Sequence, residues 1–226
     1  LGKIPAFLGA LLYLLNLGTL QHFYVPFEMF PTQFAALPFL FLYALRFLET
    51  RKTNYLLLFS FVTLLSTPMA YAGTLWYAYF LCFSLFLLTY NLILKDRLIL
   101  KASLKIIAVT LFINSFWILP NLYFIGTHAK EVSQSKIHSL FTEEAFAQNA
   151  SFGTLPDIAL YKNYLFNWGE YIGNNNFGPL LDEWSKHLEN PFVSFLGYLY
   201  FLIVIVGIVF AIKSRNVFAL SFLPLF

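Results

Sequence analysis

Proton transfer and ligand binding need particular side chains, and this chain places few of them outside its charged links. Glu28, in QHFYVPFEMFPTQ (21–33), is the one acid in the short connections that lack Lys and Arg. A carboxylate there can deprotonate an acceptor hydroxyl or position a substrate, or it can be hydrogen-bonded locally. His22 stands in the same aromatic elbow. Asn114, Trp117 and Asn121 are spaced i, i+3, i+7, so a helix through LFINSFWILPNLYF (111–124) puts all three on one face. Pro120 lacks an N–H and frees the Phe116 carbonyl near the expected exit from the bilayer. A polar face on an apolar helix is expected to meet protein or a wet cavity rather than lipid. Trp168 and Glu170, in NYLFNWGEY (163–171), complete the substrate-binding candidates.

Other chemistry is thin. There is no phosphate loop, GxGxxG, HExxH or Cys/His metal pattern, no cofactor motif, and nothing that points to nucleic acid. The histidines at 22, 128, 138 and 187 are scattered; Glu183 and His187 share a helix face, a pattern that surface contacts also produce. Cys82 stands alone, so no internal disulfide forms. Asn149-Ala-Ser151 is a sequon that matters only in a glycosylating host.

Composition sets the class. The 226 residues are 59% hydrophobic, 20% aromatic and 11% charged, against about 25% charged in soluble domains. Mean hydropathy is +0.70 over the whole length. These values predict an all-α, polytopic transmembrane bundle with the lipid bilayer as its solvent. Six full spans are expected at 4–20, 32–48, 55–71, 75–94, 104–124 and 192–212, with a seventh, 217–226, cut short. Residues 1–124 hold five of them, 125–190 form a long polar connection, and 191–226 hold the rest. The start at Leu1 without Met and the stop inside an apolar run read as an internal piece of a larger protein.

Charge orients the spans. Lys3, Arg46, Arg51, Lys52, Lys95, Arg97, Lys101, Lys105, Lys213 and Arg215 fall on one set of links, ten of the fourteen basic residues. The other four lie in 125–190. The basic links are therefore expected in the cytoplasm and the long connection outside. Trp76 and Trp117 near the opposite helix ends, with Trp168 and Trp184 in the long connection, agree with that sidedness. Within it, TLPD (154–157) reads as a capped helix start, with apolar positions continuing to Leu165 and Phe166. Pro179 is expected to open a second helix, PLLDEWSKHLEN, striped by Leu181, Trp184 and Leu188. Asn16, His22, Gln33, Thr74, Asn114 and Asn121 gather toward the outer half, where a shared cavity or interhelical hydrogen bonding would use them.

ALLYLLNLGTL with the following elbow (10–33), NSFWILPNL (114–122), and a connection running through SLFTEE (139–144) to NYLFNWGEY carry a family resemblance. Their order resembles the membrane domain of GT-C polyprenyl-phosphate-sugar glycosyltransferases, especially bacterial arabinofuranosyltransferase-like membrane proteins. The resemblance implies sugar transfer from a lipid-linked donor to an extracytoplasmic glycan acceptor at a bacterial plasma membrane. Members of that family carry their catalytic acid in the first outer loop, which here would lie upstream of Leu1. Any divalent metal would likewise be bound by residues outside this fragment. A transporter or flippase segment for a lipid-linked glycan, or a non-catalytic scaffold, remain the alternatives.

Overall fold

A computed structural model of the chain describes residues 2–24, 29–135, 147, 150, 154–173 and 176–225. Glu28, Asn149, Lys136 and SLFTEE lie outside the described residues. The chain is helical almost throughout, with α1 (Lys3–Leu15), α2 (Leu17–Tyr24), α3 (Met29–Thr50) and α4 (Thr53–Leu65) first. A 3-10 segment, Thr67–Ala72, leads into α5 (Gly73–Leu94), and α6 follows (Arg97–Ser133). Beyond it come α7 (Leu155–Ala159), a two-stranded hairpin, α8 (Asp182–Glu189), α9 (Pro191–Lys213) and α10 (Val217–Phe222). Among the described residues four helical stretches are long and apolar enough to cross a membrane: Phe30–Thr50, Thr67–Leu94, Arg97–Glu131 and Pro191–Lys213. The chain is membrane-embedded.

Two expected spans are interrupted. The first breaks at Asn16, whose ψ of 159° is extended, because its amide replaces the helical bonds with bonds of its own. The third stops at Leu65, and Pro68 continues it only as a 3-10 turn. The reverse error occurs in α6, where the expected basic link of 95–105 shrinks to Lys95 and Asp96. Lys95 is left-handed (φ 53°) and caps α5. At its other end α6 runs through Pro120 to Ser133, past the expected exit at Phe124. Its uncharged stretch from Ile106 to Ala129 is about 36 Å long at 1.5 Å per residue, enough for about 30 Å of hydrocarbon. Charge, rather than proline, therefore marks where this helix leaves the apolar layer.

The chain divides into two compact units, Leu1–Pro26 with Lys130–Gly207, and Phe27–Ala129 with Ile208–Phe226. The second is built on aromatic packing. Phe59, Phe83, Phe86, Leu40, Leu87 and Ile106 are buried together. Phe86 and Phe222 meet at 4.7 Å, and Phe59 stacks on Phe83 at 5.8 Å. Side chains that would otherwise face lipid gain little from transfer out of water, so shape-matched dispersion contacts hold this core. Asn91 adds an interhelical bond, donating to Ser103 Oγ at 2.8 Å across the short α5–α6 turn. Hydroxyls in the helices donate to carbonyls one turn back, as Thr63 does to Phe59 and Thr110 to Ile106.

In the first unit α7 starts as expected. Thr154 and Asp157 form a reciprocal capping box, with a further hydroxyl–carboxylate bond between them. The helix does not continue to Leu165 and Phe166; a 3-10 turn, Tyr164–Asn167, holds them buried instead. Strands β1 (Gly169–Gly173) and β2 (Asn176–Pro179) pair antiparallel where a loop turn was expected. Three glycines weaken helix here, and Gly173 at φ 97° takes a conformation that other residues resist. Pro179 ends β2 rather than opening α8, which starts at Asp182 with Leu181 as its N-cap.

Candidate functional site

The polar face of α6 packs on protein, as its spacing required. Asn114 is buried, donating to the Thr110 carbonyl at 2.9 Å and accepting the Trp117 indole N–H at 2.9 Å. Asn121 Nδ2 donates to the Tyr77 hydroxyl at 3.1 Å. Trp117 meets Trp76 edge-on at 5.0 Å, and Trp76 stacks on Phe80 at 5.2 Å. Gly73 lets α5 come this close: a Cβ there would lie 3.4 Å from Asn121 Nδ2. Both ends of the Asn114 amide are engaged within α6, while Asn121 bonds across to α5 and Trp117 packs there on Trp76. Gln33 is different. It is buried on α3, with neither amide atom hydrogen-bonded among the described residues.

The remaining candidates belong to the first unit. His22 is on α2, its side chain outside the description. Trp168 begins the hairpin, 41% exposed, its carbonyl accepting Leu180 N–H at 2.7 Å. Glu170 is exposed on β1 opposite Gly178. Neither lines the cavity found in this unit.

That cavity is a half-open groove of about 680 Å³ between α1 and α9, closed at one end by α7 and α8. Leu8, Gly9, Tyr200 and Ile203 line its deep end, and Leu12 and Leu196 its middle. Asn16, Tyr161, Trp184 and His187 line the other end. The break in the first segment builds this end. Asn16 Nδ2 donates to the carbonyls of Leu12 (2.7 Å) and Tyr13 (3.0 Å), and Thr19 N–H donates back to Asn16 Oδ1 at 3.0 Å. Thr19 Oγ1 donates to the Tyr13 carbonyl at 2.6 Å. These bonds satisfy backbone groups that an apolar setting would otherwise strand. Tyr161 packs against Gly18, and Leu160 lies where a Cβ on Gly197 would stand, 2.5 Å away.

On α8, Trp184 donates its indole N–H to the Tyr24 hydroxyl at 3.0 Å, so its ring is what it offers the groove. His187 lies edge-on to that ring at 5.8 Å. Glu183 pairs with Lys186 (3.4 Å), which also holds Asp182 at 2.6 Å. Glu183 and Asp182 thus form an ion-pair cluster with Lys186, while His187 packs on Trp184. The Asp182 hydrogen bond, then that from Glu183, holds the Lys186 ammonium above its ordinary pKa. Among the described residues no group of three or more His, Cys, Asp or Glu is placed to hold a metal ion.

Sequence reading noted Asn16 but took the helix through it. An Asn with Thr three residues on is an N-cap signature, and inside an apolar run it signals a break. Gly197 and Tyr161 carried no such signal, since their roles depend on contacts distant in sequence. The groove can bind and orient, through one amide, aromatic faces and an imidazole. Among the described residues its lining includes no carboxylate. No family model, curated protein or solved structure matches the chain.

Proposed function

We propose that the chain is the membrane part of a GT-C-like glycosyltransferase, moving a sugar from a lipid-linked donor to an extracytoplasmic glycan acceptor. In this reading it crosses a bacterial plasma membrane six times and begins a seventh crossing. The α1–α2 pair and α4 with its 3-10 extension would supply the two interrupted spans. The 125–190 connection would lie outside, opposite the basic links. The observation that carries the reading is the polar, aromatic end of the first unit, where α7 and α8 fold back onto a broken membrane segment. Trp and Tyr rings with amide and imidazole groups suit a sugar, whose faces stack and whose hydroxyls bond.

Transfer requires the acceptor hydroxyl oxygen to attack the anomeric carbon as its bond to the lipid phosphate breaks. The phosphate leaves with the electron pair, and the hydroxyl proton passes to a carboxylate, for which Glu28 is the candidate. The test is a transferase assay on the intact protein in liposomes with a polyprenyl-phosphate sugar. A loss of at least 100-fold in Glu28→Gln, as expected when a general base is removed, supports the reading; no turnover by the unaltered protein ends it.

A second reading, a flippase for a lipid-linked glycan, is favoured by the break at Asn16, because transporters place discontinuous helices at their substrate sites. Leaflet exchange of a labelled glycolipid without glycan product would favour it.

A further inference from the structure

We propose that the groove of the first unit binds one lipid chain bearing an uncharged, hydroxyl-rich head, that is, a neutral glycolipid held from a single leaflet. Its depth suits this ligand. From Asn16 to Leu8 along α1 is about 12 Å, and from Val193 to Ile203 along α9 about 15 Å, at 1.5 Å per residue. Both are close to half of the roughly 30 Å hydrocarbon layer. Apart from Tyr200 the deep end is aliphatic, while the amide, the imidazole, the indole and Tyr161 stand at the other, an asymmetry that matches an amphiphile. The volume falls within the roughly 300–1,000 Å³ of small-molecule sites.

Charge decides the head group. Among the described residues no Lys, Arg, Asp or Glu lines the groove. Lys186, on the same helix as Trp184 and His187, is already held by Asp182 and Glu183. A phosphate seated here would lose water without gaining a cation, and the α8 carboxylates would repel it. A sugar suffers neither cost: it can stack on the Trp184 ring and bond His187. In the transferase reading the groove would therefore hold the acceptor glycan on its lipid, not the phosphate-linked donor. That role rests on the transferase reading, whereas the binding itself does not.

The experiment uses the intact protein in nanodiscs with a diazirine-bearing monoglucosyl diacylglycerol as probe and phosphatidic acid of the same chains for comparison. Labelling is expected on 8–17 and 193–203, with the phosphatidic acid probe at least tenfold weaker. Gly9 lines the groove with open space beyond its Cα, so Gly9→Trp should block the chain and cut labelling at least tenfold. Gly126→Trp, equally unobstructed on α6, should leave it unchanged. Ile203→Trp, from the opposite wall, tests the same block if Gly9→Trp melts early. Labelling that ignores both wall variants, or equal capture of phosphatidic acid, overturns the proposal. Sugar transfer failing while glycolipid labelling persists would remove only the enzyme reading.

Discussion

Trp184 and Tyr24, 160 positions apart in sequence, are joined by a single hydrogen bond of 3.0 Å from indole to phenol. Through it the amphipathic α8 is fastened to α2. Replacing Trp184 by Phe keeps an aromatic ring and removes the donor. The expected cost is about 0.5–1.5 kcal/mol of local stability. It should appear as faster protease cleavage near α8, with little change in the melting of the whole protein.

The Gly197–Leu160 contact makes a sharper prediction. A methyl group on Gly197 would lie 2.5 Å from Leu160 Cδ2; because that methyl end can rotate away, Gly197→Ala should cost about 1 kcal/mol, the low end for overpacking. Leu160→Ala in the same chain should recover part of that loss. A double-mutant cycle by thermal melting in detergent measures the coupling; additive losses would mean the two helices do not touch.

On α6 the two asparagines should behave differently. Asn121→Leu removes one interhelical bond, worth about 0.6 kcal/mol in membrane proteins. Asn114→Leu leaves the half-buried Trp117 N–H without its acceptor, which costs about 1 kcal/mol, the low end for a stranded donor. Unfolding in mixed micelles should rank Asn114→Leu as the worse, and Trp117→Phe added to it should soften the defect.

The α8 ion pairs set a pH response. Lys186 binds its proton more tightly when folded, held first by Asp182 and then by Glu183. The stabilisation it brings is therefore complete below the ordinary lysine pKa, and it is lost as pH rises through the higher folded value. Proteolysis near α8 should be flat with respect to Lys186 across neutral pH and accelerate only in strong alkali. Lys186→Met should remove that alkaline acceleration.

The helical membrane class and the four membrane-length helices were legible because a run of some twenty apolar residues has few alternatives. The i, i+3, i+7 spacing of Asn114, Trp117 and Asn121 placed that face on protein, where it lies. What misled was punctuation. Pro120 looked like an end, yet α6 continues, since a helix in an apolar medium keeps its remaining backbone bonds rather than expose them. Asn16 looked like a polar residue in passing, yet it ends one helix and caps the next. The groove was hidden for a different reason: it joins residues near 10, 160, 185 and 200, and helical period says nothing about partners so far apart.

Sidedness underlies the glycan reading, and one position tests it directly. Glu170 is exposed on β1, and Cys82 is the chain's only cysteine, so Glu170→Cys in a Cys82→Ala background carries a single thiol. A membrane-impermeant maleimide should label it in intact cells as fully as after lysis. Labelling that appears only once the cells are broken would place the 125–190 connection in the cytoplasm and contradict the account.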